Sequence, residues 1–296
     1  MLRALVERGI DADLVVGTSV GAINGVYFAA DPTEGGVAKL EALWRGLKRT
    51  DILPLSWRGF LGFLHRRDHL LTSDGLRRLL DLHLPYRNLE DAPLPVHVVA
   101  TDILTGEPVT LSRGSAVQAA LASSAVPAAF PPVEIDGRSL CDGAVVSNTP
   151  VRAAVACGAN RLIVLPTAYA RQLQRPPNGA IANLLHAVTL MTTRQLASEL
   201  NELGTSVECH IIPSNGPFGS GPFDFSRTSE LLEAAYRRTV DWLDGGGMTV
   251  PSPVRRMPSY TPRGIPNGSG PGGAGDHLRQ GGISRFGRVA QAAGAA

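Results

Sequence analysis

The segment Gly17-Thr-Ser-Val-Gly21 is the feature of this sequence that most restricts what the chain can fold into. It follows Asp13–Val16, which has the apolar pattern of a short buried strand, and it leads into Val20–Ala30, a helix-forming stretch rich in small residues. A G-x-S-x-G pattern between a strand and a helix is typical of a nucleophile elbow, a tight turn that exposes its serine. We therefore predict that Ser19 lies on such a turn.

The two glycines of the pattern have a steric role in this prediction. The serine of an elbow has a strained backbone, and the residues two positions before and after it approach each other. Side chains at Gly17 and Gly21 would then collide, whereas glycine fits. The N-terminus of the following helix, with the N–H of Val20, would favour negative charge developing above Ser19. The competing interpretation is a glycine-rich turn with no catalytic role.

Composition limits the class of protein and its compartment. The 296 residues are 44% hydrophobic, which is enough to bury one large core or two small ones. We expect no membrane span and no secretory signal, because no apolar run has the required length or flanks. Cys141, Cys157 and Cys209 are scattered and odd in number, so they predict no disulfide framework. These features favour a cytoplasmic protein.

The distribution of charge along the sequence divides the chain into a body and a C-terminal tail. Residues 251–296 carry six basic side chains and one acidic one, are rich in Pro, Gly and Ser, and contain few bulky apolar residues. We predict one folded domain over 1–250 and a disordered basic tail over 251–296. The tail either assists contact with an anionic membrane or is solvated and without a role. The body has no basic stripe with interleaved aromatics, which argues against a nucleic-acid partner.

The pattern of elements predicts an α/β fold. Strands alternate with helices, and several strands are apolar throughout, as in a mostly parallel sheet that is covered on both faces. The predicted strands are 14–16, 95–102, 108–111, 133–135, 139–141, 161–165 and 207–212. The predicted helices are 2–8, 20–30, 37–47, 59–70, 73–83, 116–125, one beginning near 150, 181–203 and 226–243.

Several side chains compete for a chemical role. A serine nucleophile usually needs a histidine base, and His210, within an apolar strand pattern, is the one histidine that we consider for this role, although a buried structural histidine is the simpler interpretation. His65 and His69 have the i, i+4 spacing of a metalloprotease helix, but no third ligand is evident and a solvated helix face explains them better. Gly17–Gly21 lacks the lysine of a phosphate-binding loop.

Three motifs together make the chain resemble the patatin-like phospholipase family over nearly all of residues 1–245. They are Gly17-Thr-Ser-Val-Gly21, Ala122-Ser-Ser-Ala-Val-Pro127 and Asp142-Gly-Ala144, in the order and spacing of bacterial members. The resemblance implies a three-layer α/β/α fold with a mostly parallel central sheet. It also implies a Ser–Asp dyad that works without histidine, metal or organic cofactor.

The resemblance assigns roles to individual residues. Ser19 would be the nucleophile and Asp142 the general base, with an acyl-enzyme that water later hydrolyses. Gly143 would leave room for the two side chains to approach, while Ser123 and Pro127 would shape a helix end beside the site. The alternative for Asp142 is an ordinary turn residue at the end of a hairpin.

One part of the family pattern has no counterpart. Members of the family begin with a strand and a glycine-rich loop whose N–H groups form the oxyanion hole, just ahead of a helix that matches Met1–Glu7. Only the N–H of Val20 is then left as a donor. We therefore expect the chain as written to lack the first strand and to hydrolyse esters poorly, and we favour a misassigned start over a degenerate copy.

These observations predict a serine lipid acyl hydrolase of the phospholipase A or esterase type. Its substrate would be a lipid or another acyl ester, with peripheral membrane contact. The alternatives are a catalytically impaired lipid-binding or regulatory protein and a histidine-dependent esterase. Phe218, Phe223 and Phe225 either touch lipid or pack internally, and packing is the simpler use. The oligomeric state has no signature in the sequence.

Overall fold

The computed structural model describes residues 1–52, 69, 71–166, 177–203, 207–214 and 225–249. The helices in this part of the chain are α1 Leu2–Glu7, α2 Val20–Ala30, α3 Glu34–Gly46, α4 Arg49–Ile52, α5 Asp74–His83, α6 Ala116–Ser123, α7 Ala144–Ser147, α8 Val151–Ala156, α9 Ala180–Leu203 and α10 Thr228–Asp244. The strands are β1 Val15–Thr18, β2 Val96–Asp102, β3 Pro108–Leu111, β4 Val133–Ile135, β5 Arg138–Asp142, β6 Arg161–Val164 and β7 Glu208–Ile211.

Strand β2 is the centre of a five-stranded sheet. Strand β1 pairs with it in parallel, while β3 and β5 pair with it in the antiparallel direction, and β4 pairs with β5. Residues Val98 to Thr101 of β2 all pair with β3 along one edge of the strand. Their other pairings, with β1 for the first two and with β5 for the last two, therefore lie along the opposite edge. Strands β1 and β5 thus share one edge of β2 and meet there end to end.

A second, two-stranded sheet joins β6 and β7 in parallel, from Arg161 opposite Glu208 to Val164 opposite Ile211. Its apolar side chains form a cluster with α8 and α9, and Val16 of β1 packs against the same cluster. A larger cluster unites α2, α6 and β2, where small alanines of α6 allow close packing on the strand. The two clusters place β1 between the larger core and the second sheet.

The predicted α/β class is confirmed, and the structure corrects several element bounds. Strand β1 begins at Val15 and includes Gly17, because its ladder runs opposite Val96 to Val99 of β2. Ser73 occupies the N-cap position of α5 but its side chain makes no capping hydrogen bond there. The predicted helix 59–70 lies almost entirely outside the described residues, as does the predicted tail 251–296.

Both predicted hairpins are present. Strands β2 and β3 are joined across Thr105-Gly106, with Gly106 at φ +71°. Strands β4 and β5 are joined across Asp136 and Gly137, which both have positive φ, the geometry of a type I′ turn. The second hairpin ends at Asp142 and so delivers this residue to the edge of β2.

Helices from the two ends of the described chain pack on each other. Arg3 of α1 donates to Glu233 of α10 at 3.1 Å, and its guanidinium lies 3.5 Å from the centre of the Tyr236 ring. Arg8 reaches Asp244 at 2.6 Å. Among the described residues, no helix combines the length and the apolar character that crossing a membrane would require.

Candidate active site

Ser19 lies on a strained turn between β1 and α2. Its backbone has φ 54° and ψ −125°, a region that residues with a side chain seldom adopt. The turn directs the Ser19 hydroxyl toward Asp142, and Ser19 Oγ donates to Asp142 Oδ2 at 2.7 Å. The structure therefore has the geometry of a nucleophile elbow, with the serine hydroxyl already hydrogen-bonded to a carboxylate.

The glycines beside the turn differ in their steric roles. A Cβ on Gly17 would lie 2.3 Å from the carbonyl oxygen of Gly21, so only glycine fits at position 17. A Cβ on Gly21 would meet nothing within 4 Å, so the steric reason predicted for Gly21 is wrong. The close approach involves the backbone of Gly21 rather than its missing side chain.

Ser123 braces the elbow from the end of α6. Its Oγ accepts the N–H of Ser19 at 2.8 Å and donates to the carbonyl oxygen of Val99 at 2.6 Å. Ser123 is fully buried, so this hydroxyl holds the turn against β2 without competition from water. Ser123 of the motif Ala122-Ser-Ser-Ala-Val-Pro127 thus has a direct structural use.

The register of the sheet places Asp142 beside Ser19. Thr18, the last residue of β1, pairs with Val99, and Asp142, the last residue of β5, pairs with the next residue, Ala100. Because β1 and β5 approach from opposite directions along one edge of β2, the residues at their ends converge. The hydrogen bond between Ser19 and Asp142 is therefore a consequence of two strands ending at neighbouring positions of a third.

The backbone and carboxylate of Asp142 are held on several sides. Its N–H donates to the carbonyl oxygen of Ala125 at 2.9 Å, and its carbonyl oxygen accepts from Thr101 Oγ1 at 2.9 Å. Oδ1 accepts the N–H of Ala144 at 2.8 Å, which leaves Oδ2 for Ser19. One carboxylate oxygen is thus anchored, and the other faces the serine hydroxyl.

Gly143 permits the backbone contact that this arrangement needs. A Cβ at this position would lie 2.2 Å from the carbonyl oxygen of Val99 and 2.9 Å from Cγ2 of Thr18. The N–H of Gly143 also donates to the carbonyl oxygen of Ser123 at 3.3 Å. Any larger residue would push the Asp142 segment away from β1.

Burial controls the electrostatics of the carboxylate. Asp142 is 3% exposed, and this desolvation raises its pKa above the ordinary value of 3.8. The hydrogen bonds from the Ala144 N–H and the Ser19 hydroxyl oppose the shift, because they stabilise the ionised form. A carboxylate with a raised pKa is a stronger base, which suits it to accept a proton from a serine hydroxyl.

Val20 is the first residue of α2, so its N–H belongs to the first-turn amides that have no intrahelical acceptor. The N-terminal end of α2 also carries the positive end of the helix dipole. The role of the Val20 N–H as an oxyanion donor stays a prediction, which this position at the helix N-terminus favours.

The histidine candidates lie elsewhere. His210 is fully buried in β7, where its Nε2 faces Glu208 Oε1 at 2.6 Å and its Nδ1 faces the carbonyl oxygen of Gly247 at 3.1 Å. His65 lies outside the described residues, so the structure does not test the spacing of His65 and His69, for which a solvated helix face is the preferred interpretation. The described chain contains no cluster of three or more His, Cys, Asp or Glu side chains arranged to hold a metal ion.

Sequence reasoning missed the side chains that surround the segment after Asp142. Gln195 and Glu199 of α9 bond to residues 146–148, and Thr18 bonds to Ser147. The sequence gives little signal for them, because α9 carries other polar side chains nearby, among them Arg194, Asn201 and Glu202. Phe225, a candidate for lipid contact, instead packs against Trp44 with ring centroids 6.3 Å apart.

The strained turn at Ser19 and the aspartate that accepts its hydrogen bond thus lie together in an α/β fold. A family model described as patatin-like phospholipase matches residues 1–155, just over half of the chain, and this region contains both Ser19 and Asp142. The chain belongs to the patatin-like phospholipase family. It is therefore placed among hydrolases, and a lipid hydrolase type of function is supported in general.

Curated relatives agree with this family. An uncharacterized NTE family protein of Mycobacterium tuberculosis is 32% identical over 157 residues, covering 51% of this chain and 39% of that protein. A putative patatin-like phospholipase domain-containing protein of Caenorhabditis elegans is 31% identical over 171 residues, covering 55% of this chain and 15% of that protein. Rat patatin-like phospholipase domain-containing protein 7 is 26% identical over 167 residues, covering 56% of this chain and 12% of that protein. The chain thus spans well under half the length of these relatives.

Proposed function

We propose that the chain is a serine lipid acyl hydrolase of the phospholipase A or esterase type, in which Ser19 is the nucleophile and Asp142 the general base. The observation that carries the proposal is the 2.7 Å hydrogen bond from Ser19 Oγ to Asp142 Oδ2 on a strained elbow. Strained backbone conformations cluster at functional sites, which supports a use for the Ser19 hydroxyl.

In the proposed reaction, Asp142 Oδ2 takes the hydroxyl proton as Ser19 Oγ attacks the acyl carbonyl carbon. The N–H of Val20 and the end of the α2 dipole stabilise the oxyanion. The leaving alcohol receives the proton from Asp142, and an acyl-enzyme remains on Ser19. Water, deprotonated by Asp142, then attacks the acyl carbonyl, and Ser19 recovers its proton as the acid leaves.

The described surface beside the dyad supports a lipid substrate at a membrane. The first half of α9, from Ala180 to Thr193, contains no Asp, Glu, Lys or Arg, and several of its apolar side chains are exposed. These are Leu184, Leu185, Val188, Leu190 and Met191. Gln195, one turn after Met191, bonds to the segment after Asp142, so the C-terminal end of this stretch approaches that segment. We propose that it contacts the lipid surface, as interfacial helices do.

This contact is tested by flotation with phosphatidylcholine and phosphatidylglycerol vesicles. The variant Met191→Glu places a charge on the apolar stretch and should reduce flotation, while Arg194→Gln on the same helix serves as a control for altered charge outside it. Equal flotation of Met191→Glu and the wild type would remove α9 from the proposed contact. Flotation of neither protein would remove the membrane from the proposal.

The dyad itself is tested with a fluorophosphonate probe, which labels only an activated serine. We expect labelling of Ser19 in the wild type, none in Ser19→Ala, and strongly slowed labelling in Asp142→Asn. Ser115→Ala is the matched control, since Ser115 caps α6 on the surface away from the dyad. Folded wild-type protein that remains unlabelled would favour a lipid-binding or regulatory role instead.

Localisation in the cytoplasm, with peripheral membrane contact, is part of the same proposal. All three cysteines of the chain are free thiols, which supports a reducing compartment. Fractionation of cells expressing the protein would test this, with release from membranes by high salt or by carbonate as the expected behaviour of a peripheral protein.

A further inference from the structure

One face of α9 holds the segment that follows Asp142. Gln195 and Glu199 are four residues apart, so they lie on the same side of the helix. Gln195 Oε1 accepts the N–H of Asn148 at 3.3 Å, and Gln195 Nε2 donates to the carbonyl oxygen of Val146. Glu199 Oε1 accepts from the hydroxyl of Ser147 at 2.9 Å. Three consecutive residues are thus bonded to two side chains.

The same segment is bonded to the strand that carries the nucleophile. The hydroxyl of Thr18 donates to the carbonyl oxygen of Ser147 at 2.9 Å, and both residues are buried. Thr18 directly precedes Ser19. A continuous series of hydrogen bonds therefore runs from Glu199 through Ser147 to the residue next to the nucleophile.

We propose that Gln195 and Glu199 are positioning residues, which hold the segment after Asp142 in the place where its carboxylate meets Ser19. This inference rests on the proposed function of the dyad. Neither side chain contacts the reacting atoms, and both act through residues 146–148. Both also lie outside the region 1–155 that the family model matches.

The geometry of α7 explains why such positioning is needed. This helix is a single turn, Ala144–Ser147, and one turn has too few hydrogen bonds to be stable alone. Its first N–H, from Ala144, fixes Asp142 Oδ1 at 2.8 Å. Any shift of α7 is therefore transmitted to the carboxylate, and a misplacement of about 1 Å can lower a rate about 10²-fold.

The burial of Glu199 supports a role beyond packing. The residue is 7% exposed, and its Oε2 has no hydrogen-bond partner among the described residues. A buried carboxyl with an unpaired oxygen destabilises a fold, and an apolar residue of similar size would remove that cost. The carboxyl accepts a hydrogen bond from Ser147, which a leucine at this position could not do.

The experiment compares variants of equal size that lose or keep the acceptor. Gln195→Met and Glu199→Leu remove the bonds to residues 146–148, whereas Glu199→Gln keeps an amide oxygen for Ser147. Glu202→Gln is the matched control, since Glu202 lies on the same helix and pairs with Arg152 on the surface. The turnover of a nitrophenyl ester and the hydrogen exchange of residues 143–150 are measured for each protein.

We expect Gln195→Met and Glu199→Leu to lower kcat about tenfold or more, with KM changed less than about twofold, and to accelerate exchange across 143–150. Glu199→Gln should recover most of the kcat, and Glu202→Gln should match the wild type. Wild-type kcat in both Gln195→Met and Glu199→Leu would overturn the inference, even if exchange is faster. If the wild type hydrolyses no ester, the proposed function fails, and exchange alone then decides whether α9 positions this segment: unchanged exchange overturns it.

Discussion

Ser123 Oγ lies 2.8 Å from the backbone nitrogen of Ser19, although the two residues are 104 positions apart in the sequence. The same hydroxyl donates to Val99 at 2.6 Å, so it joins α6, β2 and the elbow at one point. The strained turn at Ser19 is therefore held by a side chain from another element rather than by the glycines alone.

Replacing Ser123 with alanine should destabilise the protein and slow the enzyme. The part-buried N–H of Ser19 and the buried carbonyl oxygen of Val99 would lose their partner, which costs about 1–3 kcal/mol of unfolding free energy. The adjacent Ser124 is the control, because its buried hydroxyl has no hydrogen-bond partner among the described residues. Urea unfolding should show a clear loss in Ser123→Ala and little change in Ser124→Ala. Equal stability of the two variants would contradict the bracing role.

Ser19→Ala and Asp142→Asn should each abolish ester hydrolysis without loss of the fold. Because the two side chains act as one unit, the double variant should be little worse than either single one. The measurement is kcat/KM for a short-chain nitrophenyl ester, with circular dichroism to check folding. Additive losses in the double variant, or full activity in Asp142→Asn, would separate the two residues.

The activity should fall with decreasing pH at a value above the ordinary range of an aspartate. Burial raises the pKa of Asp142 from 3.8, and only the ionised carboxylate can accept the Ser19 proton. The loss of activity therefore follows protonation of Asp142 as the pH falls through this raised pKa. The pH at which kcat/KM falls and the pH at which the rate of fluorophosphonate inactivation falls should coincide. A profile that stays flat down to about pH 4 would contradict the proposed base.

Alanine should be tolerated at Gly21 and not at Gly17. A Cβ at Gly17 would lie 2.3 Å from a backbone oxygen, so the elbow must shift, whereas a Cβ at Gly21 meets nothing within 4 Å. Gly21 is helical, and alanine there should raise the unfolding free energy by up to about 1 kcal/mol. Thermal melting of the two variants measures this contrast. A Gly17→Ala protein as stable as Gly21→Ala would show that the turn can relax.

Glu199→Gln should be more stable than the wild type at alkaline pH. Burial is the main cause that raises the pKa of Glu199 above 4.5, so ionisation destabilises the folded state. The stability of the wild type is then greatest below the unfolded pKa and falls as the pH rises through the folded pKa. The advantage of Glu199→Gln should vanish near about pH 4. Urea unfolding at several pH values tests this, and a constant difference would contradict it.

The sequence predicted the local features of the site because each depends on a few neighbouring residues. The turn at Ser19 follows from Gly17 between a strand-forming and a helix-forming segment, and the turn before β5 follows from Asp136-Gly137. The three motifs also indicated that Ser19 and Asp142 belong to one site. Their geometric relation was supplied by the resemblance and not by the pattern of residues.

The features that the sequence did not predict depend on contacts between distant segments. The sequence of Arg138–Asp142 does not predict that this strand pairs with β2 beside the end of β1, because the residues of a strand do not specify which other strand it pairs with. The hydrogen bonds of Gln195 were equally hidden, because a polar residue on a long helix is usually solvated. The steric prediction for Gly21 was wrong because the sequence pattern does not show whether a close contact involves the Cβ position or the backbone carbonyl of a glycine.

The ion pairs and ring contact between α1 and α10 have a consequence for synthesis of the protein. Arg3 and Glu233 are 230 residues apart, so α1 leaves the ribosome long before its partner exists. At about 5–20 residues per second, the interval is on the order of ten to fifty seconds. During that time the ion pair of Arg3 with Glu233 and its contact with the Tyr236 ring cannot form. The face of α1 that carries Arg3 therefore stays open to solvent until α10 has emerged.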